Sequence, residues 1–173
     1  MKKTIAALLV VITIAATLIL LIGCVRKTEY DNKEIASIHY YTTESFMPWQ
    51  NHQYYDFGKQ TYSTKRIIME GYDDPEGPTF EREDYEVKAT FTEEQVELFF
   101  KRIKRHGIYN FEKNYHNRNI YDGNSWTLVI TFADKTTFES GGYMKYPLKA
   151  KLIDKDFSAL SGYPLFGSYA YIL

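Results

Sequence analysis

An apolar run from Ile5 to Gly23, interrupted only by Thr13 and Thr17 and closed by Cys24, decides how much of this chain is available to fold. It follows Met1, Lys2 and Lys3, and a cationic start ahead of an apolar stretch is the charge order of an export signal. Without residues 1–23 the chain keeps 150 residues, one domain's worth and enough to bury a sizeable core. Cys24 is the single cysteine of 173 residues, so no disulfide can form within the chain. The fold must be held by packing.

Leu21-Ile22-Gly23-Cys24 resembles the lipobox of bacterial lipoprotein precursors. The resemblance implies that the Cys24 thiol receives a diacylglyceryl group, that a type II signal peptidase cuts just before it, and that the acylated cysteine anchors the protein to the cell membrane with the domain on the extracytoplasmic face. Two other readings stay open. At about 1.5 Å rise per residue the run is long enough to cross a bilayer as an uncleaved helix, with Lys2 and Lys3 held inside. Alternatively, Gly23 ends an ordinary secretory signal. The expected organisation is a signal peptide at 1–23, a lipidated cysteine and polar tether at 24–34, and one ectodomain at 35–173. The tether, "VRKTEYDNKE" from Val25 to Glu34, has almost no large aliphatic residue and reads as flexible.

Loss of Lys2 and Lys3 takes the basic groups from 21 to 19 against 22 acids, a net charge of −3 with His neutral. That mild negative balance argues against a general nucleic-acid binder. Along the domain, residues 34–45 read as a strand rich in Ile, Tyr and Thr, whereas residues 46–60, punctuated by Pro48 and Gly58, read as an aromatic loop. Residues 61–72 and 82–91 form a predicted hairpin joined by an acidic connection, with Tyr85, Val87, Ala89 and Phe91 on one face of the second strand. Thr92-Glu93-Glu94-Gln95 is a capping box, followed by Val96, Phe99, Phe100 and Ile103 at i, i+3, i+4, i+7 and a stop at Gly107. Trp126, Leu128, Ile130 and Phe132 alternate as a strand, and a turn at Asp134-Lys135 leads to a further strand through Thr137 to Glu139. Residues 141–147 read as loop. A helix is expected from Leu148, through Leu152, Ile153, Phe157 and Leu160, to Gly162, with the aromatic C-terminal segment packing back on the domain. The expected fold is α+β: an antiparallel sheet of about five strands packed by one or two helices.

The block from Asp122 to Pro147 has an Asp-Gly-x-Ser-Trp turn, an alternating strand, a tight turn at Asp134 and a Gly-x-x-x-x-Pro tail. It is similar to a pattern in small lipoproteins of low-GC Gram-positive bacteria, although Lys135 stands where that pattern has Gly. The similarity implies a fold and an extracytoplasmic address. It carries no chemistry.

His39, His52, His106 and His116 show no i, i+3 or i, i+4 pair, so a metal site would have to be assembled by the fold, and none is expected. There is no G-x-S-x-G elbow and no phosphate-cradling G-x-x-x-x-G-K-[ST], and the residues name no catalytic group and no cofactor. Acylation of Cys24 would also rule out a thiol nucleophile. The acids Asp73, Asp74 and Glu76 read as a solvated loop. Lys101, Arg102, Lys104, Arg105 and His106 crowd the end of the capped helix, and Lys113, His116 and Arg118 continue them. Such a run is either a solvated helix face or a surface for anionic lipid or wall phosphate.

Tyr40, Tyr41, Phe46, Trp49, Tyr54, Tyr55, Phe57 and Tyr62 fall within 23 residues. Tyr and Trp combine a large face with a polar edge, suited to stacking on sugar rings or partner side chains. Trp49, Tyr54, Tyr55 and Phe57 are the expected binding surface; the competing expectation is a satellite core beneath the sheet. The function read from the residues is a non-catalytic binding module for an envelope protein or glycan. A hydrolase acting on envelope polymers through paired carboxylates is the alternative.

Overall fold

The computed structural model describes residues 28–44, 49–70, 79–82, 85–119 and 123–167. The apolar run, Cys24 and most of the acidic connection after Tyr72 lie outside the described residues. Strands β1 (Ile35–Glu44), β2 (Trp49–Asp56), β3 (Thr61–Glu70), β4 (Thr79–Arg82) and β5 (Glu86–Thr90) precede helix α1 (Glu93–His106). A 3-10 turn at Ile108–Asn110, β6 (Asn114–His116), β7 (Asn124–Phe132), β8 (Thr137–Tyr143) and helix α2 (Ala150–Ser161) complete the chain. The strands form one sheet in the order β4-β3-β2-β1-β7-β8-β6, with β5 also paired to β3. Every pairing is antiparallel except β6 with β8.

The α+β class is as expected, but the sheet has eight strands among the described residues, not five, and is mixed. β7 supplies its spine: Trp126, Leu128, Ile130 and Phe132 are buried, as their period of two requires. Beside it, β1 buries Ile38 and Tyr40. Both helices and the segment 163–167 lie on this inner face. Phe157 of α2 packs edge-on against Tyr55 of β2 and Phe99 of α1, while Phe166 sets its edge to Tyr40 and Trp126.

α1 forms as its sequence dictates. The Thr92 hydroxyl accepts from the Gln95 amide at 3.2 Å and the Gln95 side chain accepts from the Thr92 amide at 2.8 Å. Phe99 and Ile103 are buried, and Gly107 closes the helix at φ 77°. α2 begins later than expected, at Ala150, which leaves Leu148 exposed ahead of it; within the helix Leu152 is exposed while Ile153, Phe157 and Leu160 are buried. Its two acids point inward: Asp154 accepts the Phe166 amide at 2.7 Å and Asp156 bonds His106 Nδ1.

Three expectations are corrected. The predicted loop at 46–60 holds an eight-residue strand, β2, because cross-strand pairing on both sides decides the matter where periodicity is weak. The predicted loop at 141–147 begins as strand, since β8 runs to Tyr143. Gly142 is needed there: a Cβ on it would stand 2.5 Å from the Trp126 indole nitrogen and 2.6 Å from the Lys145 carbonyl, the two groups that bond each other at 2.9 Å. The polar tether is also shorter than expected. The Tyr30 ring stacks on Phe132 at 5.3 Å and meets Phe138 and Tyr109, so the chain is already docked from Thr28.

Candidate functional site

Alternation gives the sheet two faces, and only the inner one is covered by described elements. On the outer face His39 and Tyr41 of β1 stand opposite Tyr54 and His52 of β2. His39 Nε2 lies 2.9 Å from His52 Nδ1, and the Gln50 side-chain oxygen Oε1 lies 3.3 Å from His52 Nε2. One neutral tautomer satisfies both contacts: His52 Nε2–H donates to Gln50, and His39 Nε2–H donates to His52 Nδ1. The rings also stack, His39 on His52 at 5.1 Å and Tyr41 on His52 at 5.3 Å, which leaves His52 only 8% exposed on a face open to solvent.

That burial sets the charge. It pulls the His52 pKa down to about 4, with the neighbouring His39 and Lys65 adding to the effect, and it lowers that of His39 as well. Both imidazoles are therefore neutral at pH 7. The described residues contain no group of three or more His, Cys, Asp or Glu arranged to hold a metal.

Tyr85 joins this face through a bulge. Ala89 pairs with Tyr62 but Val87 pairs with Ser63, so Lys88 is the extra residue, and everything before it changes face. Val87 and Tyr85 are consequently 56% and 40% exposed instead of sharing the inner face with Phe91, as simple alternation would have them. The Tyr85 ring meets Tyr54 at 5.7 Å and Lys65 Nζ sits 5.2 Å from its centroid. His39, Tyr41, His52, Tyr54 and Tyr85 thus make a continuous aromatic strip with one cation beside it. Its faces can stack on planar or sugar rings while its edges offer N–H and O–H groups.

The four residues expected to bind do not share one surface. Tyr54 belongs to the strip. Tyr55 is fully buried, its ring 4.6 Å from Tyr62 and its hydroxyl 3.3 Å from the Ser161 hydroxyl, so it is a core residue. Phe57 packs against Phe99 and Phe100 under α1, and Trp49 takes a place in β2 with its side chain outside the described residues. The sequence reading missed the two histidines, although His39-x-Tyr41 and His52-x-Tyr54 repeat a His-x-Tyr pattern at strand period.

A cleft of about 500 Å³ opens where β1 begins, lined among others by Ala36, Tyr54, Asp56, Phe57, Val96 and Phe100. The Asp56 carboxylate accepts the Lys59 amide at 2.9 Å, which fixes the β2–β3 turn. The buried acids Asp154 and Asp156 serve the helix layer, away from this cleft and from the strip. No protein-family model, curated protein or solved structure matches the chain.

Proposed function

We propose that this chain is a lipid-anchored extracytoplasmic protein whose domain is a non-catalytic binding module for an envelope protein or glycan. The attachment rests on the lipobox-like Leu21-Ile22-Gly23-Cys24 and on the absence of any second thiol. The binding reading is carried by one observation, the outer aromatic strip of Tyr41, Tyr54 and Tyr85 around the neutral His39–His52 pair, left uncovered by every described element. A hydrolase would need carboxylates facing a bound polymer. The strip offers aromatic faces and neutral hydrogen-bonding edges instead.

Two measurements test the two halves. Mass spectrometry of membrane-extracted protein should find acylated Cys24 at the N-terminus, and Cys24→Ser should block both acylation and processing; an intact 1–23 segment in the wild type would refute the anchor. Replacing Tyr54 and Tyr85 together by Ala should leave the melting temperature within a few degrees while weakening retention by isolated envelope material by about tenfold or more, the scale of losing one or two ring contacts. Unchanged retention with unchanged stability would refute the strip as the binding surface.

A further inference from the structure

The acylated cysteine, on the reading proposed above, cannot stand far from the folded domain. Residues 28–33 are pinned: Thr28 donates its amide to Asp31 Oδ2 at 2.6 Å, Tyr30 is stacked on Phe132, and Lys33 pairs with Asp134 at 2.9 Å. Only Val25, Arg26 and Lys27 separate Cys24 from Thr28, and four peptide units reach at most about 14 Å. The bilayer surface must therefore lie beside this corner of the molecule.

The same corner holds the C-terminal end of α1. Lys104 Nζ donates to the Asp31 carbonyl at 3.0 Å, and Lys101, Lys104 and Arg105 occupy i, i+3, i+4 positions on one helix face. Lys101 and Arg105 are exposed, and none of the three forms an ion pair among the described residues. The acids next to them in the docked segment are Glu29 and Asp31, the latter bonded to Thr28. Arg26 and Lys27 add two further cations in the sequence between the anchor and the fold.

We infer that the domain docks on anionic phospholipid headgroups through Lys101, Lys104 and Arg105, held there by the short link to Cys24. The occupant follows from two independent facts, the reach of the chain that ends in the lipid and the sign of the charge it brings to the surface. β1 starts at this corner, and Tyr41 and His52 of the outer strip lie further along β1 and β2. The inference rests on the lipid-anchor reading, and it adds an orientation to it.

The full-length lipidated protein, reconstituted in vesicles of phosphatidylcholine alone or mixed with phosphatidylglycerol, provides the test. Acylation of lysine amines by a water-soluble reagent, followed by mass spectrometry, reads Lys101 against Lys145. The backbone carbonyl of Lys145 bonds Trp126, at the opposite end of β7 from Phe132, so it reports a distant surface. Lys101 should be protected about tenfold in the anionic vesicles and not in the zwitterionic ones, with Lys145 equal in both. Salt near 1 M should remove the protection, since screening then reaches about 3 Å. Arg105→Glu reverses one exposed charge and should lower the ratio of docked to undocked domain by about 30-fold, at unchanged melting temperature. Insertion of twelve Gly/Ser residues after Lys27 should weaken protection by diluting the domain away from the surface. Membrane-anchored protein whose Lys101 labels equally in both lipids overturns the docking and leaves the anchor standing. Unmodified Cys24 and a soluble wild-type chain overturn both.

Discussion

His52 is the residue whose environment most departs from what its position suggests. It sits on the solvent side of the sheet, yet the rings of His39 and Tyr41 and the Gln50 amide close over it. Because its folded pKa lies near 4 and its unfolded value near 6.5, the unfolded chain binds a proton between those pH values that the folded chain refuses. Folding stability then rises with pH across this interval: the contribution is full above about pH 6.5 and is lost as pH falls toward 4. The loss should be on the order of 2–3 kcal/mol, and His39, whose pKa is also lowered by burial, adds in the same direction. Urea unfolding of the wild type and of His52→Gln at pH 7, 5.5 and 4.5 isolates this term from the carboxylates common to both. The variant should lose less stability on acidification; parallel curves would show that His52 is as easily protonated in the fold as outside it.

Elements differ in how far local sequence decides them. α1 was legible because three local signals agree: a reciprocal cap at Thr92 and Gln95, an apolar stripe, and Gly107 at φ 77°. Thr92→Ala removes one of the two cap bonds and should cost about 1 kcal/mol, seen as a lower denaturation midpoint with unchanged slope; no change would mean that packing alone sets where α1 starts. β7 was legible for the same kind of reason, an uninterrupted period of two. β2 was not, because Pro48 and Gly58 flank it and its pairing partners lie in β1 on one side and across a turn in β3 on the other. The end of β8 was hidden by Gly141-Gly142, residues that usually weaken a strand, which are present here because Trp126 and the Lys145 carbonyl occupy the space of a Cβ. The β5 bulge was hidden because alternation from Tyr85 to Phe91 is perfect in the sequence; the extra residue, Lys88, exists only relative to β3. The candidate site depends on β2 and on that bulge. Its members were visible as residues and their meeting was not.

At the scale of the whole molecule, the absence of any disulfide within the chain transfers the task of joining the layers to aromatic side chains, of which the sequence has 29. The joint is continuous. Phe57 meets Phe99 and Phe100, Phe99 meets Phe157, and Phe157 meets Tyr55, whose ring lies tilted against Tyr62 of β3. Phe157 is its centre, fully buried and set edge-on to Phe99 of α1 at 4.9 Å and to Tyr55 of β2 at 5.0 Å, the geometry in which ring quadrupoles attract. Truncating it opens a cavity shared by α1, α2 and the sheet, so Phe157→Ala should cost about 3–5 kcal/mol. The location of the loss matters more than its size. If the joint works as one unit, hydrogen exchange should accelerate together in α2, in α1 and in β2 near Tyr55, and unfolding should stay a single transition. Acceleration confined to α2 would show that α1 is held by its own contacts, those of Phe99 and Phe100 with Phe57, and that the helix layer consists of two independently docked helices.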